Sequence, residues 1–182
     1  RDDAAAETKY KAHRILRIIK NYGQEIQRVS YGATGQERLP RAWMNKTSDF
    51  SFSGVKTALL HLAQDRGVYP SESVGLERDK LDELVRDMAA AFQESVVEVM
   101  TVKLLGVAEK YHARGLILAG GVAANTRLRH EVVLRSPLPV IIPEPVLCTD
   151  NGAMIATCAY YQYHRDAQFG LDLDVEPGLS LG

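Results

Sequence analysis

The stretch from Arg114 to Gly152 constrains the fold more than any other part of the chain. It opens with an apolar run, Leu116-Ile117-Leu118-Ala119, which breaks at Gly120-Gly121 and continues through Val122-Ala123-Ala124-Asn125 into a polar, helix-like segment. A second apolar run, Val140-Ile141-Ile142, is stopped by Pro143 and Pro145 and followed by Cys148-Thr149-Asp150-Asn151-Gly152. Each run has the length of a buried strand and is too short for a helix. The pattern predicts two strand–loop–helix units, with strands at 115–119 and 139–142 and a helix from Asn151 to about His164. Such a chain is α/β, and its two loops lie at the strand ends, where open α/β sheets bind ligands.

The rest of the chain adds helices. Residues 2 to 20 read as one, with Asp2 and Asp3 at its positive end and Ala5, Ala12, Ile15, Leu16 and Ile19 as an apolar stripe. Lys9, His13, Arg17 and Lys20 fall on another face, read as solvated charge rather than as a phosphate contact. Residues 21 to 48, punctuated by Gly23, Gly32, Gly35 and Pro40, read as a loop-rich connection with a short helix near Ile26 to Tyr31. There Arg38, Arg41 and Lys46 surround Trp43, which is expected to pack against the domain rather than stack on a base. Asp49-Phe50-Ser51-Phe52-Ser53 alternates and predicts a short strand with both Phe on one face. Val55 to Ala63 predicts a helix; Lys56-Thr57 lacks the glycine spacing of a phosphate-binding loop. Asp65 to Glu77 is a polar connection. A long helix is expected from about Asp79 to His112, buried near its middle and ended by Gly115. Residues 166–182 read as an irregular tail, so 1–165 form one lobe.

Composition bounds the function. The 182 residues hold 22 Lys and Arg against 23 Asp and Glu, a formal net charge of −1, which predicts no strong general attraction to nucleic acid and leaves room for a local basic patch. No apolar run has membrane-spanning length and no signal peptide is evident, so a cytoplasmic protein without a membrane partner is expected. Cys148 and Cys158 form no CxxC pair, which argues against a zinc site or a disulfide framework.

Gly120-Gly121 lets backbone approach a ligand closely, and the helix that follows offers N–H groups and a positive dipole to an anion. Asn125 is placed to cap that helix, a use as expected on position alone as ligand contact. Asp150 reads first as a helix cap, the commonest use of Asp at such a place, and otherwise as a metal or phosphate partner in the cleft. Cys148 reads as a small buried hydrophobe, with no His near it in sequence to activate it.

Three segments carry a resemblance: Leu118-Ala119-Gly120-Gly121-Val122-Ala123-Ala124-Asn125, Cys148-Thr149-Asp150-Asn151-Gly152-Ala153-Met154-Ile155-Ala156 and Asp49-Phe50-Ser51-Phe52-Ser53-Gly54-Val55-Lys56-Thr57-Ala58. Together they resemble, in order and spacing, motifs of the tRNA adenosine threonylcarbamoyltransferase (glycoprotease) family in its bacterial form. The likeness covers most of residues 1 to 165 and about the C-terminal half of a family member. It implies one helix-rich, incomplete lobe of an actin/hexokinase/Hsp70-like (ribonuclease H-like) ATPase fold. It also implies an acyltransferase that moves threonylcarbamoyl from threonylcarbamoyl-adenylate to the exocyclic amine of the adenine beside the tRNA anticodon. By the same resemblance Asn125 and the Gly120-Gly121 turn bind the nucleotide, together with Gly23. Asp150 is one ligand of an iron, with zinc as the alternative, that acts as Lewis acid and template; two histidines complete it. The implied partners are tRNA, the N-terminal half and accessory proteins of the bacterial threonylcarbamoyladenosine machinery.

Departures from the family accompany the likeness. The family's Gly-Glu-Ala-Phe-Asp-Lys stands here as Ala6-Glu7-Thr8-Lys9-Tyr10-Lys11, so Tyr10 replaces a ribose-binding Asp. A carboxylate accepts from both ribose hydroxyls, whereas Tyr offers one bulky hydroxyl, which weakens the implied ribose contact. Pro-Gly-Gly-Pro stands as Asn21-Tyr22-Gly23-Gln24, keeping only the second glycine. The family's histidine pair and glycine-rich phosphate loop precede the region covered. Two alternatives stand beside the transferase: an inactive relative serving as a binding or assembly module, and a lobe of another sugar-kinase-like or Hsp70-like ATPase.

Overall fold

The computed structural model describes residues 5–16, 25–33, 35–44, 47–70 and 77–165. In chain order these form α1 (Ala5–Ile15), α2 (Glu25–Val29), α3 (Ser53–Asp65), α4 (Arg78–Lys110), β1 (Leu116–Ile117), a 3-10 turn (Gly121–Ala124), α5 (Thr126–Arg135), β2 (Val140–Ile141), a 3-10 turn (Pro145–Leu147) and α6 (Gly152–Tyr163). The helix-rich α/β expectation holds. Arg17, Lys20, Gly23, Lys46 and the tail 166–182 lie outside the described residues, as do Asp2 and Asp3.

The long helix α4 is the spine. Its 33 residues span about 50 Å at 1.5 Å per residue. Met88, Ala89, Phe92 and Val96, up to just past its middle, join Ala12 and Leu16 of α1 and Val55, Leu59 and Ala63 of α3 in one core. Val97 and Ala108 on its second half join Leu116 of β1 and Leu128 and Val132 of α5 in another. This is why the sequence is apolar on more than one face near mid-helix: different faces serve different cores.

Strands β1 and β2 pair in parallel, Leu116 opposite Val140 and Ile117 opposite Ile141. The ladder extends slightly past them, with Leu116 N–H donating to Pro139 O at 2.8 Å and Leu118 N–H to Ile141 O at 3.0 Å. Both strands are shorter than expected. A parallel strand is normally held by neighbours and covered on both faces, and here Ile117 and Ile141 are 72% and 65% exposed.

Three expectations are corrected. Asp49 to Ser53 is not a strand: Phe52 is the N-cap of α3 in a helical conformation, and α3 starts at Ser53. The alternation did put the Phe50 and Phe52 rings on one side, stacked at 5.7 Å. What is missing is a ladder partner, since Lys103 Nζ takes the Asp49 carbonyl and lies over the Phe50 ring. Second, α4 ends before Gly115. His112 takes the left-handed turn, φ 51°, while Gly115 admits the close approach of Pro139 O, which would lie 3.3 Å from a Cβ. Third, Trp43 is 42% exposed rather than packed away. Its loop is held to α4 by other side chains: Arg41 Nε pairs with Glu98 at 2.6 Å and Ser95 Oγ donates to Pro40 O at 2.6 Å.

The chain divides into two compact units, Arg1–Thr149 and Asp150–Gly182. In the second, α6 is capped by Asn151, whose side chain accepts from Met154 N. None of its residues is buried, although Met154, Ile155, Tyr160, Tyr161 and Tyr163 are large and apolar.

Candidate functional site

The chain leaves β1 through Gly120, whose φ of 86° only glycine adopts without strain. Gly121 has no such requirement, and a Cβ there would meet nothing within 4 Å. The turn therefore fixes one glycine by backbone geometry and leaves the other with open space in front of it. The 3-10 turn then delivers Asn125 to the start of α5.

Asn125 is buried and bonded through both its oxygen and its nitrogen. Its Oδ1 accepts from Leu128 N at 2.9 Å, capping α5, and its Nδ2 donates to Gln93 Oε1 on α4 at 2.8 Å. Gln93 Nε2 donates to Ser30 Oγ at 3.2 Å, and Ser30 Oγ to Gln27 O at 2.9 Å. Gln27 closes the circuit, its Oε1 accepting from Thr126 N at 2.8 Å. An open helix terminus for an anion was expected behind the glycine pair. It is largely occupied, because Asn125 and Gln27 take the N–H groups of Leu128 and Thr126. One amide hydrogen of Asn125 remains uncommitted in this network.

A cleft of about 1130 Å³ lies over this network, walled by α2 and the residues after it, by Ala90, Gln93 and Glu94 of α4, and by Thr126, Arg127 and His130 of α5. Its charges are largely paired. Arg127 forks onto Glu94, Nε to Oε1 at 2.7 Å and Nη2 to Oε2 at 2.9 Å, and reaches Glu131 at 2.5 Å. The Glu94 hydrogen bond is the main cause that raises the Arg127 pKa. Arg28 is paired with Glu25 at 2.7 Å. Such a cleft recognises by hydrogen bonds and shape more than by net charge.

Beside Asn125 is a second, small space of about 10 Å³, lined by Lys9, Gln93 and apolar residues of α4, α5 and the 3-10 turn. Lys9 is only 8% exposed, and burial pushes its pKa down. Residue 9 of α1 thus faces the Asn125 network, while Tyr10 is 42% exposed. The solvated face expected for Lys9 is corrected: α1 packs against the 3-10 turn and covers it.

Cys148 is buried, as its reading as a small hydrophobe requires, and Arg129 Nη2 lies 3.0 Å from its sulfur. Arg129 Nε also donates to Ala123 O, so one guanidinium ties the two 3-10 turns together. Asp150 is exposed and opens the second unit; Asn151, not Asp150, caps α6. Among the described residues no three His, Cys, Asp or Glu side chains gather as a metal site. A single carboxylate does not hold a divalent ion tightly, so Asp150 alone makes no metal site.

Gln93, Gln27 and Arg127 escaped the sequence reading. The available signal was Gln93-Glu94-Ser95, a polar interruption in the apolar middle of α4.

A glycine turn at a parallel strand end leads into a capped helix beside a cleft, in a helix-rich partial α/β lobe. Residues 1–157 match the sequence model of the tRNA N6-adenosine threonylcarbamoyltransferase family. The protein of that name from Dehalococcoides mccartyi is 44% identical over 181 residues, which cover 100% of this chain. Those from Thermomicrobium roseum and Moorella thermoacetica are each 42% identical over 190 residues, covering 99% and 100% of it. The chain belongs to the tRNA N6-adenosine threonylcarbamoyltransferase family. It spans about half the length of these curated relatives, 51% of the first and 52% of the other two.

Proposed function

We propose that this chain supplies part of the site that transfers threonylcarbamoyl from threonylcarbamoyl-adenylate to the exocyclic amine of the adenosine beside the tRNA anticodon. The observation that carries the reading is similarity along the whole chain to relatives of that name, with Gln93, the partner of Asn125, and Ala124 and Thr126, its chain neighbours, lining one cleft. In the reaction the amine attacks the carbamoyl carbon, the bond from that carbon to the phosphate oxygen breaks, AMP leaves and the amine gives up a proton. Asn125 offers its remaining amide hydrogen to the nucleotide, held in place by Gln93. The space in front of Gly121 admits the nucleoside. Gly23, outside the described residues, is assigned to the same proposed site through the family resemblance.

Asp150 is proposed as one ligand of a divalent metal, iron or zinc, whose other ligands are two histidines of the N-terminal half. Accessory proteins of the bacterial machinery and a cytoplasmic setting belong to the same reading. Among the described residues no helix is long and apolar enough to cross a membrane.

The test is reconstitution. The chain is combined with the N-terminal half of the Dehalococcoides relative, unmodified tRNA and threonylcarbamoyl-adenylate labelled in the threonine. Label should pass to tRNA with both halves present and not with this chain alone. Robust transfer by the chain alone would sink the partial-site reading, and no transfer by the pair would count against the activity. In the reconstituted protein, Asp150→Ala should remove the metal measured by elemental analysis. Unchanged metal content would exclude Asp150 as a ligand.

A further inference from the structure

Gln93 joins the polar network to the large cleft, bonding within the one and lining the other. Among the described residues it makes two hydrogen bonds: Nε2 donates to Ser30 Oγ at 3.2 Å, and Oε1 accepts from Asn125 Nδ2 at 2.8 Å. A primary amide carries two N–H donors and two acceptor lone pairs. One hydrogen on Nε2 and one lone pair on Oε1 therefore remain, on a side chain that is otherwise buried. A buried amide with half its capacity unfilled is destabilising until a partner in the cleft completes it. The cleft itself narrows what that partner is. Arg28 and Arg127 are committed to Glu25, Glu94 and Glu131, so the Gln93 amide suits a neutral group with its own donor and acceptor. Ala90, one turn earlier on the same face of α4, lines the cleft with only a methyl group, which lets a flat ring approach the amide.

We propose that Gln93 reads the adenine ring of the nucleotide, Oε1 accepting from the 6-amino group and Nε2 donating to N7. A glutamine amide matches those two atoms of adenine in bidentate fashion. Hypoxanthine carries an oxygen in place of the amine and would set two acceptors against each other. Asn125 and Ser30 hold the amide from either side, so its two remaining positions are fixed before the base arrives. The inference rests on the adenylate reading above and names the side chain that selects its base.

Calorimetry follows the full chain binding AMP, IMP and 7-deaza-AMP, the last lacking the N7 acceptor. The wild-type chain should bind IMP and 7-deaza-AMP each about tenfold more weakly than AMP, the usual effect of losing a base-edge contact. Gln93→Glu keeps the shape and the acceptor but carries no N–H. It should bind AMP and 7-deaza-AMP about equally and still reject IMP by about tenfold. Gln93→Met fills similar space with neither group and should bind all three within about twofold of one another. Thermal melting verifies that each variant is folded, and if Gln93→Met is not, Gln93→Glu carries the test. A loss that came only from disturbed packing would scale all three nucleotides alike.

A wild-type chain that binds the three nucleotides alike, or binds none of them, would overturn the site. So would an AMP preference that survives in Gln93→Met, or a Gln93→Glu chain that still rejects 7-deaza-AMP. The reconstituted transfer assay separates the two layers. There Gln93→Glu should raise KM for threonylcarbamoyl-adenylate and leave KM for tRNA unmoved; the reverse split would put the tRNA base at Gln93 and overturn the assignment. Transfer by the wild-type pair without any base preference overturns the Gln93 site alone. No transfer, with the AMP preference intact, overturns only the reading beneath it.

Discussion

Asn125 and Asn151 each stand one residue ahead of a helix, and each accepts a backbone N–H three residues on, at 2.9 and 3.0 Å. Locally they are the same device. Asn125 is buried, and its amide group also donates to Gln93 on the spine helix. Asn151 opens α6, a helix without a buried residue. The difference teaches that a cap is written locally, while a cap that doubles as part of a site needs a partner from elsewhere in the chain. Asn125 has one 32 residues away, and the helix it caps has a second in Gln27, 99 residues from Thr126.

The largest effect that should separate the two regions lies in the core that α4 forms with α1 and α3. Phe92→Ala, adjacent to Gln93 and fully buried, should cost about 3–5 kcal/mol. Ile155→Ala on α6, where the side chain is 66% exposed, should stay within about 0.5 kcal/mol. Urea denaturation reads both, and equal costs would erase the contrast.

The next is the pair of caps themselves. Asn125→Ala removes the cap and leaves Gln93 Oε1 without its donor in a buried place, a loss of roughly 2–3 kcal/mol. Asn151→Ala should lose about 1 kcal/mol, the ordinary worth of a cap. If the two losses match, the Gln93 bond contributes nothing and Asn125 is only a cap.

A smaller effect of opposite sign is expected at Lys9. Its folded pKa lies below the ordinary lysine value because it is buried, so the unfolded chain binds its proton more tightly. The penalty is fully present below the lowered pKa and fades as pH rises from there towards the ordinary lysine value. Lys9→Met should therefore stabilise the fold at neutral pH by about 1 kcal/mol or more, and should flatten the alkaline rise in stability. A pH profile identical to wild type would mean that the Lys9 ammonium reaches water.

Much of this could be read from sequence because it is local. The ends of α4, the turn at Gly120 and the cap at Asn125 follow from periodicity, glycine and a capping side chain within a few residues. What could not be read depends on distant partners. Gln27 fills the helix start that looked open to an anion, and α1 turns Lys9 inward. The Phe50–Phe52 alternation was a real signal of facing but not of a strand, since it says nothing about a ladder partner. Gly115 looked like a helix stop and instead makes room for a carbonyl from the segment before β2. Asp150 was singled out through likeness to a family, and its own surroundings contain no metal cluster among the described residues.

The most direct test of the account compares Asn125→Asp with Asn151→Asp in the protein reconstituted with an N-terminal half. Aspartate keeps the capping oxygen at both positions, so both variants should fold, as thermal melting would verify. At residue 125 it also removes the amide donor and sets a negative charge against an anionic adenylate. Asn125→Asp is predicted to lose about 10–100-fold in kcat/KM for threonylcarbamoyl-adenylate, with Asn151→Asp close to wild type. A folded Asn125→Asp protein with undiminished transfer would contradict the assignment of Asn125 to the nucleotide.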